Sequence, residues 1–290
     1  MQSPLTQSIL LFVWVGLLAS SFIVSEQVLP YASPIAATWL RFSLTSICLL
    51  PLIRFGTDFK LDVRQLIKYA VISLFLVLFF IGLFESLKTT TAQRTAVIYT
   101  LLPLICVLLS YGLLQVVPKT MQLLGFLLGI FGAIWTLLIT NTNAEITTKW
   151  FRGDSLFLLS CFSLALHVVL AKKWASSQPA LLSTFMIVSL GSLLLLPSFM
   201  LYGRPQKIAW DNSVFWFGIV YLTLFTTLGT FFLQQYLLKH YSPNAFLAAT
   251  YLVPILVILF QGLAQFEVLL TCLPAFLITL LALYLISSKA

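Results

Sequence analysis

Ten long apolar stretches follow one another along this chain and are joined by short connectors. The hydrocarbon core of a bilayer is ~30 Å thick, so a crossing helix needs roughly 20 apolar residues, about the length of each stretch. Hydrophobic residues make up 60% of the 290 residues and charged residues only 8%, which is more apolar surface than a water-soluble fold can bury. The sequence therefore predicts an all-α membrane protein. The ten predicted transmembrane helices are 7–27, 34–53, 66–87, 93–115, 121–140, 154–174, 180–202, 213–237, 242–263 and 268–287.

The net charge of +8 comes from basic residues that are scattered through short loops and form no run or stripe. This distribution is typical of the positive-inside rule and argues against a nucleic-acid partner. More basic residues fall in the loops that lie on the same side of the membrane as the N-terminus, so both termini are predicted to be cytoplasmic. The four cysteines lie in apolar stretches at unrelated spacings, which predicts neither a disulfide frame nor a metal site.

The chain repeats part of its pattern at a spacing of 151 residues. Lys88 is matched by Lys239, and Pro103 by Pro254, each pair around the start of a helix. The interpretation is two halves, 1–145 and 146–290, with five crossings each; a chance resemblance between leucine-rich helices is the alternative. A unit with an odd number of crossings is inserted upside down when it is duplicated, and inverted repeats of this kind recur in secondary transporters.

Pro103 and Pro254 lie well inside the fourth and ninth stretches. A proline removes a backbone donor and clashes with the preceding turn, so each is predicted to kink its helix. Either proline alone predicts an ordinary structural kink. Kinks at equivalent places in both halves predict a hinge beside a central cavity.

Polar residues three or four positions apart form stripes along several of the stretches. Lipid offers no partner to a polar side chain, so these stripes are expected to face protein or water. For any single serine or threonine, a bond that holds helices together is the ordinary alternative. The candidate substrate-binding residues from the stripes and the aromatic positions beside them are Trp14, Ser21, Arg41, Glu85, Tyr99, Ser163, His167, Thr230, Gln234 and Tyr251.

Three ionisable residues lie within the stretches, and the role of each has two interpretations. His167 is deep in its crossing and is either a ligand or proton-coupling group or a histidine that packs between helices. Arg41 either binds a carboxylate or phosphate of a substrate or holds the bundle together, with Glu26 or Glu85 as its partner. Glu85 either binds a cationic group or a proton, which makes it the second candidate for proton coupling, or forms a surface ion pair with Lys88.

The sequence contains no HExxH, CxxC, GxSxG or P-loop motif. It therefore predicts no catalytic residue, no metal ligand and no cofactor, and the protein is not expected to be an enzyme. A membrane-embedded enzyme would need a second titratable residue close to His167. A receptor or structural protein would use up its polar stripes in bonds between helices.

Short motifs in a characteristic order resemble the drug/metabolite transporter superfamily, in particular the EamA-like ten-helix permeases. In the first half these are Trp14–Val15–Gly16, Arg41–Phe42, Leu87–Lys88, Thr91–Ala92, Pro103, Gly125 and Gly132. In the second half they are Leu228–Gly229–Thr230, Leu238–Lys239, Ser242, Pro254 and Glu267. The chain departs from the pattern at Val116, where an acidic residue is common, and at Pro243, where a small residue is usual. These departures bear on the substrate and not on the fold.

The resemblance implies a secondary transporter of the bacterial inner membrane, with a central cavity between inverted halves and alternating access. Because His167 is the one deep titratable group of the predicted cavity, the sequence favours a small zwitterionic or amphipathic solute such as an amino acid, exported or exchanged. The alternatives are import or exchange of a larger, nucleotide-like metabolite, or a receptor or scaffold that moves nothing. The expected partners are the solute and the lipid bilayer; monomer and oligomer both stay open.

Overall fold

The computed structural model describes residues 4–56, 62–86, 89–90, 95, 98–140, 150–262 and 266–287, and every regular element in these ranges is helical. Lys88 and the side chains of Glu26 and Glu267 lie outside the described part of the chain. The helices are α1 (Pro4–Val28), α2 (Pro34–Gly56), α3 (Val63–Ser86), α4 (Leu102–Leu114), α5 (Thr120–Thr140), α6 (Arg152–Ala175), α7 (Ala180–Tyr202), α8 (Ser213–Leu237), α9 (243–262) and α10 (Phe266–Ser287).

Six of these helices are long and apolar enough to cross a membrane, so the chain is an all-α, multi-pass membrane protein. Their apolar segments are Thr6–Ser25, Pro34–Ile53, Val63–Leu83, Arg152–Ala175, Ala180–Tyr202 and Ser213–Leu237. Four shorter apolar helices are described at Leu102–Leu114, Thr120–Trp135, Pro243–Val257 and Leu273–Ile286. Each predicted stretch thus contains at least one of these helices, while the number of ten crossings stays a prediction.

Polar side chains at the helix starts explain several of the boundaries. The hydroxyl of Ser33, the side-chain oxygen of Asn212 and the hydroxyl of Ser242 each accept a hydrogen bond from the backbone amide three residues further along. Such caps satisfy amide groups that have no partner within the helix. A proline follows Ser33 and Ser242 at the first helical position, where its missing N–H is not needed.

Helix α8 changes its winding halfway along. Residues Ser213–Tyr221 are α-helical, Leu222–Gly229 form a π-helix, and Thr230–Leu237 are α-helical again. A π-helix is rare and occurs mostly as short insertions in α-helices, often at functional sites. The helix that carries the longest polar stripe is therefore also the one with the widest turns.

Regular α-helix is interrupted just before both repeated prolines. Residues 100–101 form a turn ahead of Pro103, which is the second residue of α4. In α9, the 3₁₀ segment Ala249–Leu252 precedes Pro254, which is the second residue of the next α-helical segment. A proline is tolerated in a first helical turn, so the structure places a change of winding where the sequence predicts a kink. A hinge at these places stays a prediction.

The helices pack in a pattern that repeats after five helices. The contact of α3 with α6 corresponds to that of α8 with α1. In the same way, the contact of α3 with α7 corresponds to that of α8 with α2, and the contact of α4 with α6 to that of α9 with α1. The remaining large contacts join α2 to α7, α4 to α9 and α5 to α10, so each of these helices meets the one five further along.

Small residues allow the close contact between α5 and α10. A Cβ atom added at Gly125 would lie 2.7 Å from the side chain of Ile286, and one at Gly132 would lie 2.7 Å from the hydroxyl of Thr279. Membrane helices commonly use small residues to bring their backbones together. Gly125 and Gly132 of the fifth predicted crossing therefore serve packing.

Candidate functional site

His167 on α6 and Gln234 on α8 are in direct contact inside the bundle. Nε2 of His167 lies 2.9 Å from the side-chain nitrogen of Gln234, and Nδ1 lies 3.0 Å from the carbonyl oxygen of Ile72 on α3. A carbonyl oxygen can only accept, so Nδ1 carries the hydrogen; an amide nitrogen donates, so Nε2 accepts. This bonding corresponds to the neutral imidazole. The structure thus brings two predicted site residues together and supplies the partner for His167 that the sequence did not reveal.

Arg41 on α2 reaches across to the π-helix of α8. Its Nε donates to the hydroxyl of Thr227 at 2.7 Å, and its Nη2 donates to the hydroxyl of Thr226 at 3.2 Å and to the carbonyl of Thr226 at 3.4 Å. The arginine is only 6% exposed. Within the described residues, its hydrogen-bond partners are hydroxyl and carbonyl oxygens rather than the carboxylate of Glu85.

The two threonines can accept from Arg41 because their own hydrogens are used elsewhere. The hydroxyls of Thr226 and Thr227 donate to the carbonyl of Leu222 at 3.0 and 2.7 Å. This leaves oxygen lone pairs directed to the guanidinium. The π-helix Leu222–Gly229 therefore presents a row of neutral acceptors to a buried cation.

Thr223 begins the same row and has a different environment. Its carbonyl accepts a hydrogen bond of 3.2 Å from the hydroxyl of Thr45 on α2, which also donates to the carbonyl of Arg41. Its own hydroxyl is buried and has no hydrogen-bond partner among the described residues. Buried polar groups are nearly always paired, so this hydroxyl is an open donor next to the arginine's helix.

Three phenylalanines connect the arginine to the histidine. The guanidinium carbon of Arg41 lies 5.5 Å from the ring centre of Phe80. Phe80 meets Phe42 edge to face at 5.5 Å, Phe42 meets Phe231 at 6.0 Å, and Phe231 meets the imidazole of His167 at 6.1 Å. We call these five residues, with Thr226, Thr227 and Gln234, the α8 site. It consists of two polar contacts with an aromatic wall between them.

The remaining hydroxyl candidates bond to their own helices. Ser21 donates to the carbonyl of Leu18 at 2.7 Å and Ser163 to that of Leu159 at 3.2 Å. Thr230 donates at 2.5 Å to the carbonyl of Thr226, the same oxygen that Arg41 approaches. Thr230 is therefore in contact with the α8 site, whereas Ser21 and Ser163 show the bonding that is ordinary for membrane helices.

Tyr99 and Tyr251 each lie about one helical turn before a repeated proline, but they occupy different parts of the structure. Tyr99 is buried with the main core, between Phe22 at 6.0 Å and Phe157 at 6.4 Å. Tyr251 belongs to a separate cluster at α5 and α10, where its hydroxyl donates to the carbonyl of Phe126 at 3.2 Å. Its ring lies against Gly129, where a larger residue would leave no room.

Trp14 and Glu85 complete the set of predicted residues. The ring of Trp14 on α1 lies 4.1 Å from that of Phe246 on α9, so it packs between these helices. Glu85 is half-buried one residue before the end of α3. The ring contact with Phe246 pairs Trp14 with α9 rather than with the α8 site.

The sequence reasoning missed a buried carboxylate at the start of α6. Asp154 has no exposed surface; it accepts from the hydroxyl of Thr90 at 2.5 Å and from the backbone amide of Phe151 at 2.9 Å. An acidic residue in the first turn of an apolar helix, in a chain with only eight acidic residues, was the available signal. The amide bond identifies a helix-capping role. In the described residues, no group of three or more His, Cys, Asp or Glu side chains could hold a metal ion.

Two lysines at the end of α6 tie three helix ends together. Lys172 donates to the carbonyls of Leu238 and Lys239 after α8, and Lys173 donates to the carbonyl of Leu113 near the end of α4 at 2.9 Å. Cations are favourable at helix C-termini because the last carbonyls lack partners there. The sequence reasoning used these lysines only to assign topology.

A narrow cleft lies at the same end of the bundle. It is lined by Gln65, Lys68, Tyr69, Ile72, Trp174 and Gln178. Ile72 is the residue whose carbonyl binds His167. His167 has no exposed surface and Gln234 is 5% exposed, so the open, water-filled cavity that the sequence predicts is closed at this point. A solute can reach the α8 site only after the helices separate.

Comparisons with known proteins agree with this architecture. The family model described as the EamA-like transporter family matches residues 6–138 and again residues 151–288. No curated protein matches the chain. One solved crystal structure is similar over 99% of this chain and 98% of its own, with a TM-score of 0.75 and 15% sequence identity, which shows the fold alone.

Proposed function

Because the chain belongs to the EamA-like transporter family, we propose that it is a secondary transporter of a small organic metabolite in the bacterial inner membrane. The proposed solute is an amino acid or a related zwitterionic or amphipathic compound, which the protein exports or exchanges. Both termini are proposed to lie in the cytoplasm. The gradient across the membrane sets the direction of net transport. A secondary transporter needs no catalytic residue, and none is proposed.

The proposed architecture is ten crossings in two inverted halves, 1–145 and 146–290. It is supported by the double match of the family model and by helix contacts that repeat after five helices. The proposed two-fold axis in the membrane plane relates α2 to α7, α4 to α9 and α5 to α10. The two helices of each pair are in contact in the bundle. Alternating access in such proteins is a rocking of one half against the other around a central site.

The proposed central site is the α8 site, and the contact between His167 and Gln234 is the observation that carries it. Both side chains are polar, buried and contributed by neighbouring helices of the second half. When they separate, the amide offers a donor and an acceptor and Nε2 of the imidazole offers an acceptor, while Phe42, Phe80 and Phe231 offer an apolar wall. A few convergent polar groups in an apolar, aromatic lining are typical of small-molecule sites.

We extend the proposed set of solute contacts to all the candidates from the sequence. These are Trp14, Ser21, Arg41, Glu85, Tyr99, Ser163, His167, Thr230, Gln234 and Tyr251. Tyr251 lies away from the α8 site in this closed form. Its contact with solute requires α9 to rearrange at the 3₁₀ segment Ala249–Leu252, next to the proposed hinge at Pro254; Pro103 is the proposed hinge of the other half.

One observation favours a scaffold or receptor as the second candidate function. Ser21, Ser163 and Thr230 all donate to carbonyls of their own helices, as expected of a bundle that stays closed. Such bonds also persist in helices that move as rigid bodies, so they do not decide between the two functions. Transport itself has to be measured.

The test is counterflow into proteoliposomes preloaded with each amino acid in turn. We expect accumulation of at least one labelled amino acid, and we expect the alanine variants of Tyr99, His167, Gln234 and Tyr251 to lose it while folding normally. Full transport by all four variants removes the site assignment. Absence of counterflow with every amino acid and with nucleotide-like compounds favours the scaffold.

A further inference from the structure

We propose that Arg41 and the hydroxyl of Thr223 bind an oxyanion, so that the solute of the proposed transporter carries a carboxylate or phosphate group. This inference rests on the proposed function for the identity of the ligand as cargo. It goes beyond that function by excluding neutral and purely cationic solutes.

The guanidinium of Arg41 is a buried cation among neutral groups. An arginine keeps its charge in proteins. A buried charge is costly unless it is paired, and charges in membrane helices mark ligand or ion pathways. In the described residues, the groups that touch this guanidinium are the hydroxyls of Thr226 and Thr227, one carbonyl and the ring of Phe80. An anion is the one partner that this arrangement lacks.

The existing bonds of Arg41 can be exchanged for an oxyanion. Bonds from a guanidinium to a carboxylate or phosphate are roughly twice as strong as bonds between neutral groups, and they are often bidentate. Nη2 reaches the Thr226 carbonyl at 3.4 Å and its hydroxyl at 3.2 Å, which are long for an N–H···O bond. The Thr227 bond at 2.7 Å holds Nε on the same edge of the planar group, so it keeps the guanidinium oriented while Nη2 changes partner.

Thr223 supplies an unused donor on the same helix. It lies four residues before Thr227, and residues at this spacing share a helix face. Its hydroxyl is buried without a partner in the described chain, unlike the hydroxyls of Thr226 and Thr227, which donate to Leu222. A buried donor without an acceptor destabilises the protein, and a bound oxyanion would remove that cost.

The wall of phenylalanines defines the rest of the ligand. Phe80 lies under the guanidinium and continues through Phe42 to Phe231. An acid that carries an apolar or aromatic group can place its charge on Arg41 and its body on these rings. The geometry thus selects an amphipathic acid over a small inorganic ion.

The experiment measures thermal stabilisation of the purified full chain by benzoate and phenyl phosphate, with benzamide as the uncharged analogue and chloride at equal ionic strength. We expect benzoate or phenyl phosphate to raise Tm by roughly 2–4 °C at ten times its Kd. Benzamide and chloride should leave Tm unchanged. Stabilisation by neither acid, or equal stabilisation by benzamide, overturns the proposal.

Variants assign the effect to the site. Arg41→Gln should abolish the stabilisation, and Arg41→Lys, which keeps the charge but not the fork, covers the case that the first variant does not fold. Thr223→Val should raise the Kd of the acid roughly tenfold. Thr184→Val is the matched control, because Thr184 is buried and donates only to its own helix, at 2.8 Å to the carbonyl of Ala180. Unchanged binding in the lysine and Thr223 variants contradicts the proposal.

Transport and binding fail separately. If proteoliposomes exchange a neutral or cationic solute and neither acid binds, the transporter stands and the acid site falls. If an acid binds through Arg41 and no solute is moved, the acid site stands and the transport function falls.

Discussion

The side-chain nitrogen of Gln234 lies 2.9 Å from Nε2 of His167, and the other ring nitrogen is held by the carbonyl of Ile72. One imidazole therefore ties α6 to both α3 and α8. Helix α3 belongs to the first half of the chain and the other two to the second half. Any motion that separates the halves at this level has to break the bond to Ile72, and motion of α8 has to break the bond to Gln234.

Replacing Gln234 with leucine should disable transport and destabilise the protein. The variant leaves Nε2 of His167 buried without its donor, which costs about 1–3 kcal/mol. We expect a lower Tm and at least tenfold slower counterflow. Gln235→Leu is the matched control on the next residue, because the buried amide nitrogen of Gln235 has no hydrogen-bond partner in the described chain. Equal losses in both variants would show that the His167 contact has no special role.

A pH gradient should drive transport only if a proton moves with the solute, and His167 and Glu85 are the proposed carriers. In this structure His167 is neutral by its bonding, and a proton added at Nε2 would face the N–H₂ group of Gln234. Protonation is therefore coupled to rotation of that amide or to separation of the helices. We expect gradient-driven uptake to be lost in His167→Gln or in Glu85→Gln. Exchange without a gradient should persist in Glu85→Gln. Uptake by the original protein that ignores the gradient contradicts the coupling.

Removing Lys172 should open the end of the bundle that carries the cleft. The lysine donates to the carbonyls of Leu238 and Lys239 just after α8, and a hydrogen bond that involves a charged group contributes about 1.5–3 kcal/mol. We expect Lys172→Met to raise the labelling rate of the buried Cys106 roughly tenfold, in a background where the other three cysteines are serine.

Lys239→Met is the control for this effect. Lys239 is exposed at the same end, and its replacement removes the same charge. Similar labelling in both lysine variants would assign the effect to charge alone. No change in the Lys172 variant would show that its bonds do not close the bundle.

The positions of the helices could be predicted because the thickness of a bilayer fixes the length of an apolar run. The partners within the bundle could not. His167 and Gln234 are 67 residues apart on different helices, and both were candidates, but nothing in the order of the residues places one imidazole against one amide. That pairing depends on how α6 and α8 pack together, which only the fold provides.

The winding of α8 was also beyond the reach of sequence patterns. Thr223, Thr226 and Thr227 form a stripe in either an α-helix or a π-helix, so the stripe indicates a shared face but not the wide turn that faces Arg41. Tyr99 and Tyr251 were both candidates for solute contact, which implied a common cavity. The structure turns Tyr251 to α5 instead, because Gly129 leaves space for its ring and Phe126 offers a carbonyl.

Replacing Pro254 with alanine should slow transport without preventing binding. The proline is the second residue of an α-helical segment and follows the 3₁₀ segment Ala249–Leu252. Alanine restores a backbone donor, so a regular α-helix can extend through this segment and stiffen the proposed hinge. We expect a severalfold lower turnover in counterflow, a Tm within about 3 °C of the original and unchanged stabilisation by benzoate.

Pro103→Ala should act in the same way in the other half. Pro197→Ala is the control, because Pro197 lies exposed inside α7 and away from both interruptions. If the Pro197 variant slows transport as much as the Pro254 variant does, stiffening of any membrane helix explains the effect and the matched prolines are not hinges.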